Sequence, residues 1–331
     1  MIKIVKIQQF KSIAKLVLEP RRVNLFIGKP NVGKSNILEA IALLGLPYAV
    51  NNIKEVVRIE TAPDLFYDQD TAKKISIEAN EVALSITFEG SGFKIDARGR
   101  EGDGFTSQGF MFQRTINYDG NLGSMSQGEI GLHEQIKFYK FLTQTNFPGR
   151  RTEFLWPPYG NNLMVMLQVL DDLKKVVADL LAGFGFRLLF KQQEGKIEIA
   201  KQVGDVIITY PYSLVSDTLQ RVIFYYAAML SNKDSVLIFE EPESNSFPYY
   251  TKFMAERIAL DTPNQYFIST HNPYLLSSIA EKTPKDELAI FVVYFDDYQT
   301  KAVRLSGDQV QEVIDLDASI FFNLEKYTEK S

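Results

Sequence analysis

Hydrophobic positions along the chain switch between three spacings, and each spacing predicts a different element. Mostly apolar runs at 23–27, 236–240 and 265–269 predict buried strands. Helical spacing follows the first run, with Ile37, Leu38, Ile41 and Leu44 across 36–46. Residues 163–181, 216–230, 249–260 and 273–280 also read as helices, and a C-terminal helix begins near Asp308. Period-two alternation (Ile75, Ile77, then Val82, Leu84, Ile86, Phe88) predicts an antiparallel hairpin across 75–95, broken at Gly90, Ser91 and Gly92. Further strands are expected at 2–8, 15–27, 186–190, 196–201, 205–210, 287–295 and 301–305. The Gly-, Ser- and Gln-rich stretch 99–131 reads as loop with a strand near 110–112, and 132–144 as a helix. Residues 149–160, with Pro157 and Pro158, read as irregular, and 48–70 gives no element. The result is an α/β chain without internal repeats, in which roughly two hundred residues separate the buried runs 23–27 and 236–240.

Between the first apolar run and its helix, residues 28–35 read GKPNVGKS, the pattern G-x-x-x-x-G-K-[ST]. In a strand–turn–helix setting this builds a phosphate cradle. Amides around Gly28, Asn31, Val32 and Gly33 and the helix N-terminus at Ser35 and Asn36 face an anion. Lys34 reaches the outer phosphates, and the Ser35 hydroxyl is a Mg²⁺ ligand. The expected ligand is a nucleoside triphosphate.

The second buried run ends in Glu240, Glu241, Pro242 and Glu243. An acid at a neighbouring strand end supports the Mg²⁺ shell, a role that suits Glu240. A second carboxylate can deprotonate the attacking water, which suits Glu241. The third run ends in Thr270-His271-Asn272-Pro273, so His271 also faces the crevice at the strand ends. A helix-capping role for that turn is the competing explanation.

Composition narrows the setting. Across 331 residues, 45% are hydrophobic and 23% charged, ordinary values for a globular protein. The net charge of −5 offers no general field for nucleic acid, so any DNA contact requires a local patch. Without cysteine, disulfides, thiolate catalysis and cysteine-ligated zinc are excluded. No apolar run approaches the ~20 residues that span a bilayer, so a cytoplasmic location is expected.

In this order, GKPNVGKSNILEAI, VLIFEEPE and ISTHNP resemble the ABC-type ATPases of the SMC/RecF/OLD group, especially the standalone ATP-binding proteins of AAA type. The opening IVKIQQFKSI and the segment PPYGNNLMVML also resemble that group. The resemblance implies an ABC-ATPase-like P-loop core with an antiparallel β subdomain. It also implies a lobe inserted at about 120–211 within a single domain spanning 1–331. ATP and Mg²⁺ are its ligands, Glu241 its general base and His271 its switch histidine. A signature segment crosses a homodimer interface to the other subunit's γ-phosphate; here Ser216 and Asp217 stand in that place, opening a helix. An ordinary N-cap explains the same two residues. Partners implied are a second copy and a separate effector such as a nuclease, with DNA maintenance or anti-phage defence as the biological use.

Three departures are visible. Thr218 stands where glycine is usual, Pro30-Asn31 replaces Asn-Gly, and Ser246-Phe247-Pro248 replaces Leu-His-Pro. Gln113 is the candidate for the family's glutamine loop. A GTPase would carry an N-K-x-D segment, but Asn232-Lys233-Asp234 places its Asp one position early, and Asp96-Ala97-Arg98-Gly99 is a weak D-x-x-G. A nuclease reading based on Asp296 and Asp297 gives way to turn acids. The mixture of Phe138, Tyr139, Phe141, Phe147, Arg150, Arg151, Phe154, Trp156 and Tyr159 reads as lobe packing, with base stacking as the alternative.

Overall fold

The computed structural model describes residues 1–49, 51–80, 82–101, 104–128, 131–316 and 321–328. In chain order the elements begin with β1 (Val5–Phe10), β2 (Ile13–Leu18), β3 (Val23–Ile27) and α1 (Lys34–Leu43). Next come β4 (Ile75–Ala79), β5 (Val82–Glu89), β6 (Gly92–Glu101), β7 (Gly104–Ile116) and β8 (Leu122–Gln127). The middle holds α2 (Leu132–Gln135), β9 (Ile136–Tyr139), α3 (Leu163–Val169), α4 (Asp171–Ala182), β10 (Arg187–Lys191), β11 (Lys196–Val203) and β12 (Val206–Pro211). The last part holds α5 (Asp217–Ser231), β13 (Val236–Glu240), α6 (Pro248–Leu260), β14 (Gln265–Ser269), α7 (Pro273–Lys282), β15 (Leu288–Asp296), β16 (Gln299–Arg304) and α8 (Gly307–Leu316).

The described strands form three sheets. A core sheet runs β16-β15-β3-β14-β13-β9, parallel except for the β15–β16 hairpin. Because β3, β13 and β14 are buried on both faces, their side chains divide between two cores. Leu25, Leu237, Phe239 and Ile268 pack on one face with the helices α3 to α8. Phe26, Val236, Ile238 and Phe267 pack on the other with α1 and the antiparallel sheet β2-β1-β4-β5-β6-β7-β8. Lying between two sheets, α1 is buried over eight of its ten residues, so its sequence is apolar well beyond one stripe. A three-stranded sheet, β10-β11-β12, completes the molecule.

Three expectations are corrected. Residues 132–144 are not one helix: after the single turn α2 the chain extends as β9, which pairs in parallel with β13. Ile136, Phe138 and Tyr139 are β-branched or aromatic and buried, so the demand for a further core strand outweighs their helix-compatible spacing. Residues 99–131 are largely strand, because β7 and β8 extend the antiparallel sheet. Glycines there permit close approach: a Cβ on Gly109 would stand 2.7 Å from the Gly99 carbonyl oxygen. Gly102, Asp103, Glu129 and Ile130 of that stretch lie outside the described residues. Finally, 163–181 is two helices separated at Leu170, whose ψ of 100° interrupts the helix. Within 120–211, β8 belongs to the antiparallel sheet and β9 to the core sheet; α3, α4 and the three-stranded sheet follow.

Candidate functional site

Since β3, β13 and β14 are parallel neighbours, their C-terminal ends lie along one edge of the core sheet, with β14 in the middle. The GKPNVGKS loop leaves β3, the carboxylates leave β13, and His271 follows β14. Such an edge collects ligand-binding loops in open α/β sheets.

The loop has a conformation that its sequence accommodates. Asn31 and Gly33 take left-handed φ values of 62° and 95°. A Cβ on Gly33 would fall 2.0 Å from Thr300 Oγ1, so only glycine fits there. The Thr300 hydroxyl donates to the Val32 carbonyl (2.9 Å) and meets Ser12 Oγ at 2.6 Å; Asn36 Nδ2 donates to Ser12 Oγ at 2.7 Å. The turn between β1 and β2, together with β16, therefore braces the loop. Gly33 caps α1 without a side chain, which leaves helix N–H groups for an anion. Lys34 Nζ donates to the carbonyls of Gly28 (3.0 Å) and Lys29 (2.9 Å). Burial pushes the Lys34 ammonium down to about 8, while Glu241 and Glu240 pull it up.

Across the pocket, Glu241 adopts a left-handed φ of 43° and its N–H donates to the Ser269 carbonyl (3.0 Å). A non-glycine residue held in that region marks strain, which the neighbouring strand sustains. Glu241 Oε1 stands 3.3 Å from His271 Nε2. His271 is held below its ordinary value, first by burial and then by the Lys34 charge, with Glu241 opposing. Glu240 Oε1 lies 3.2 Å from Arg58 Nη2. Arg58 also meets Glu39 at 3.1 Å, and the fully buried Glu39 takes Lys11 Nζ at 2.7 Å.

A cavity of about 350 Å³ joins these groups. Asn31, Gly33, Lys34, Ser35, Asn36, Glu241 and His271 line it, together with Arg58. Gly28 and Val32 shape the loop itself, and Glu240 adjoins through Arg58. A larger cavity of about 660 Å³, lined by Lys29, Pro30, Tyr294, Phe295 and Glu325, lacks the paired strand-end acids. Ser216 and Asp217 are elsewhere. Ser216 Oγ accepts the Leu219 N–H at 3.4 Å as the N-cap of α5, and it lines an apolar groove with Leu181, Phe184 and Leu214. Asp217 pairs with Arg221 at 2.7 Å. Thr218 Oγ1 donates to the Asn245 carbonyl at 2.8 Å, in the turn after the carboxylates. Gln113 sits within β7 and donates to Asp96 at 3.0 Å; it does not line the cavity.

The sequence reading missed Arg58, Glu39, Lys11, Ser12 and Thr300. Arg58 lies in the stretch without periodicity, and only the fold brings it to Glu240.

Residues 207–277, which include α5, the acidic strand and the histidine turn, match the family described as "AAA domain, putative AbiEii toxin, Type IV TA system". In structure, the chain is similar to an SmcHead bound to the C-winged helix domain of ScpA. The TM-score is 0.54 at 15% identity, over 94% of this chain and 99% of that one. The fold is thus similar to that of an SMC head domain. An Smc head domain with an extended coiled coil from Pyrococcus furiosus, bound to the C-terminal domain of ScpA, is 14% identical. It covers 95% of this chain and 98% of its own, with a TM-score of 0.49. No curated protein matches the chain in sequence. The segment that matches the AAA-domain family thus sits within an SMC-head-like fold. Among the described residues, no helix is long and apolar enough to cross a membrane.

Proposed function

We propose that the protein binds ATP with Mg²⁺ in the 350 Å³ cavity and hydrolyses it slowly or under a partner's control. One observation carries the reading: the phosphate loop, a strained strand-end carboxylate and a histidine, from three separate strands, line one cavity. Lys34 would leave the carbonyls of Gly28 and Lys29 for the outer phosphates, and Arg58 would add a second cation. Glu241, paired with His271, would take the proton of the attacking water.

The donor set fits Mg²⁺. One hydroxyl (Ser35) and one carboxylate (Glu240) suit an ion that keeps waters and takes phosphate oxygens. Among the described residues, no group of three His, Asp or Glu forms a protein-only cage. When bound, the ion neutralises charge on the phosphates.

Ser216 and Asp217 lie outside this cavity within one chain, which supports closure by a second copy placing the N-terminus of α5 over the nucleotide. Closure on ATP and release on hydrolysis would convert differential affinity into a change of shape. The use we propose is control of a separate effector, such as a nuclease, in the cytoplasm, in anti-phage defence or DNA maintenance. The core spanning 1–331 with a lobe inside 120–211 remains part of this proposal.

A second reading is ATP binding with little hydrolysis. Thr218 favours it, because a side chain engaged with Asn245 stands where glycine permits close backbone approach. Comparing ATP turnover of wild type and Glu241→Gln separates the two. A loss of about 10²-fold supports hydrolysis. Equal inactivity, with ATP still bound, refutes it.

A further inference from the structure

Glu243 takes no part in the chemistry above, yet its carboxyl lies at the junction of the two catalytic loops. Only 5% of the residue is exposed, although it is a carboxylic acid that follows Glu241 by two positions. Its Oε1 accepts the Thr270 hydroxyl. Thr270, fully buried, accepts the Asn272 N–H on the same oxygen at 2.9 Å. Its own N–H donates to the Phe26 carbonyl at 3.1 Å, next to the strand end that enters the phosphate loop. The carboxyl thus ties the turn after β13 to Thr270, which precedes His271 and through its hydroxyl also holds the N–H of Asn272, the residue after His271. Its second oxygen, Oε2, has no partner.

We propose that Glu243 is a positioning residue: a buried strut that fixes the His271 turn against the Glu241 turn and so sets the 3.3 Å separation of imidazole and carboxylate. The inference rests on the ATPase reading for its kinetic consequence, but its geometry does not need turnover. A buried hydrogen bond between two turns favours one arrangement of them, and losing one partner leaves the other without its bond. Burial also pushes this carboxyl up to about 7, so near neutral pH a large fraction carries a proton. A protonated acid keeps Oε1 as an acceptor and spares the site a third full negative charge beside Glu240 and Glu241.

Glu243→Ala removes the strut. We expect kcat for ATP to fall about tenfold, with nucleotide Kd changed less than about twofold, as expected for a small displacement of the reacting groups. Glu243→Gln keeps an oxygen acceptor for Thr270 and should restore most of the turnover. Thr270→Val deletes the donor while preserving volume and should reproduce the alanine phenotype, which covers the case where Glu243→Ala fails to fold. Imidazole NMR supplies a readout independent of catalysis, since His133 and His271 are the only histidines and His133 is fully buried. In wild type and Glu243→Gln, His271 should titrate below its ordinary value; in Glu243→Ala and Thr270→Val it should rise towards 6.5 as the turn loosens into solvent. An unchanged His271 titration in both loosened variants overturns the strut. So does a loss of turnover in Glu243→Gln as large as in Glu243→Ala. If wild type binds ATP without turning it over, the hydrolysis reading fails by itself, and the NMR comparison still decides the strut.

Discussion

The phosphate loop and the N-terminus of α5 are both helix starts that could hold an anion, but the chain equips them very differently. At the loop, Thr300, Ser12 and Asn36 hold the backbone from behind, and Lys34, Arg58, Glu241 and His271 surround the cavity in front. At α5, Ser216 spends its hydroxyl on a long cap bond, Asp217 is paired with Arg221, and the neighbouring groove is apolar. One start is a finished half-site. The other lies beside an apolar groove and, under the proposed closure, would need a second molecule before it meets phosphate.

The largest effect is expected at Lys34. Lys34→Ala should weaken ATP binding by about a hundredfold or more, roughly 2.7 kcal/mol, in calorimetric titration. Retained affinity would show that the cradle does not bind phosphate. Next, Glu241→Gln with ATP and Mg²⁺ should accumulate the closed pair, doubling the mass in light scattering relative to the nucleotide-free protein. A monomer under both conditions would remove the role given to α5. Ser216→Ala discriminates more finely. Loss of the weak cap should cost about 0.5 kcal/mol in chemical denaturation. Turnover should fall about tenfold if the hydroxyl serves the partner's nucleotide, and hardly at all if it is only a cap.

A pH-dependent effect belongs to Glu243. Its carboxyl is raised from an ordinary 4.5 to about 7 in the folded protein. Between those values the folded state holds more protons than the unfolded chain, so its contribution to stability is present below 4.5 and is lost as pH rises towards 7. Denaturation of wild type and Glu243→Gln at several pH values should show wild type losing ground across that interval. Parallel curves would place the carboxyl in a more solvated setting than its burial indicates.

Much of the loop half was legible because its signals are local. Val23 to Ile27 announces a buried strand, the glycine spacing announces the turn, and the helix follows within ten residues. Glu240, Glu241 and His271 were legible as strand-end polar residues after apolar runs. What escaped depends on contacts between distant parts of the chain. Arg58 reaches Glu240 across 182 positions of sequence, from a stretch without periodicity. Thr300 is an unremarkable hairpin residue until β16 lies against the phosphate loop. The error at 132–144 has the same origin: Ile136 to Tyr139 suit a helix locally, and only the edge of β13 makes them a strand.

The Thr218 hydroxyl on the Asn245 carbonyl also has a consequence for timing. It ties the first turn of α5 to the turn that follows Glu241, so the proposed contact surface and the proposed catalytic acid would be mechanically linked. In a closed pair, each copy's contact helix would sense the state of its own pocket while touching the other's. Such a linkage is reciprocal by thermodynamic necessity. It would make the two hydrolysis events interdependent, with the first altering the lifetime of the second site's closure. A glycine at 218 would lack the hydroxyl that makes this connection.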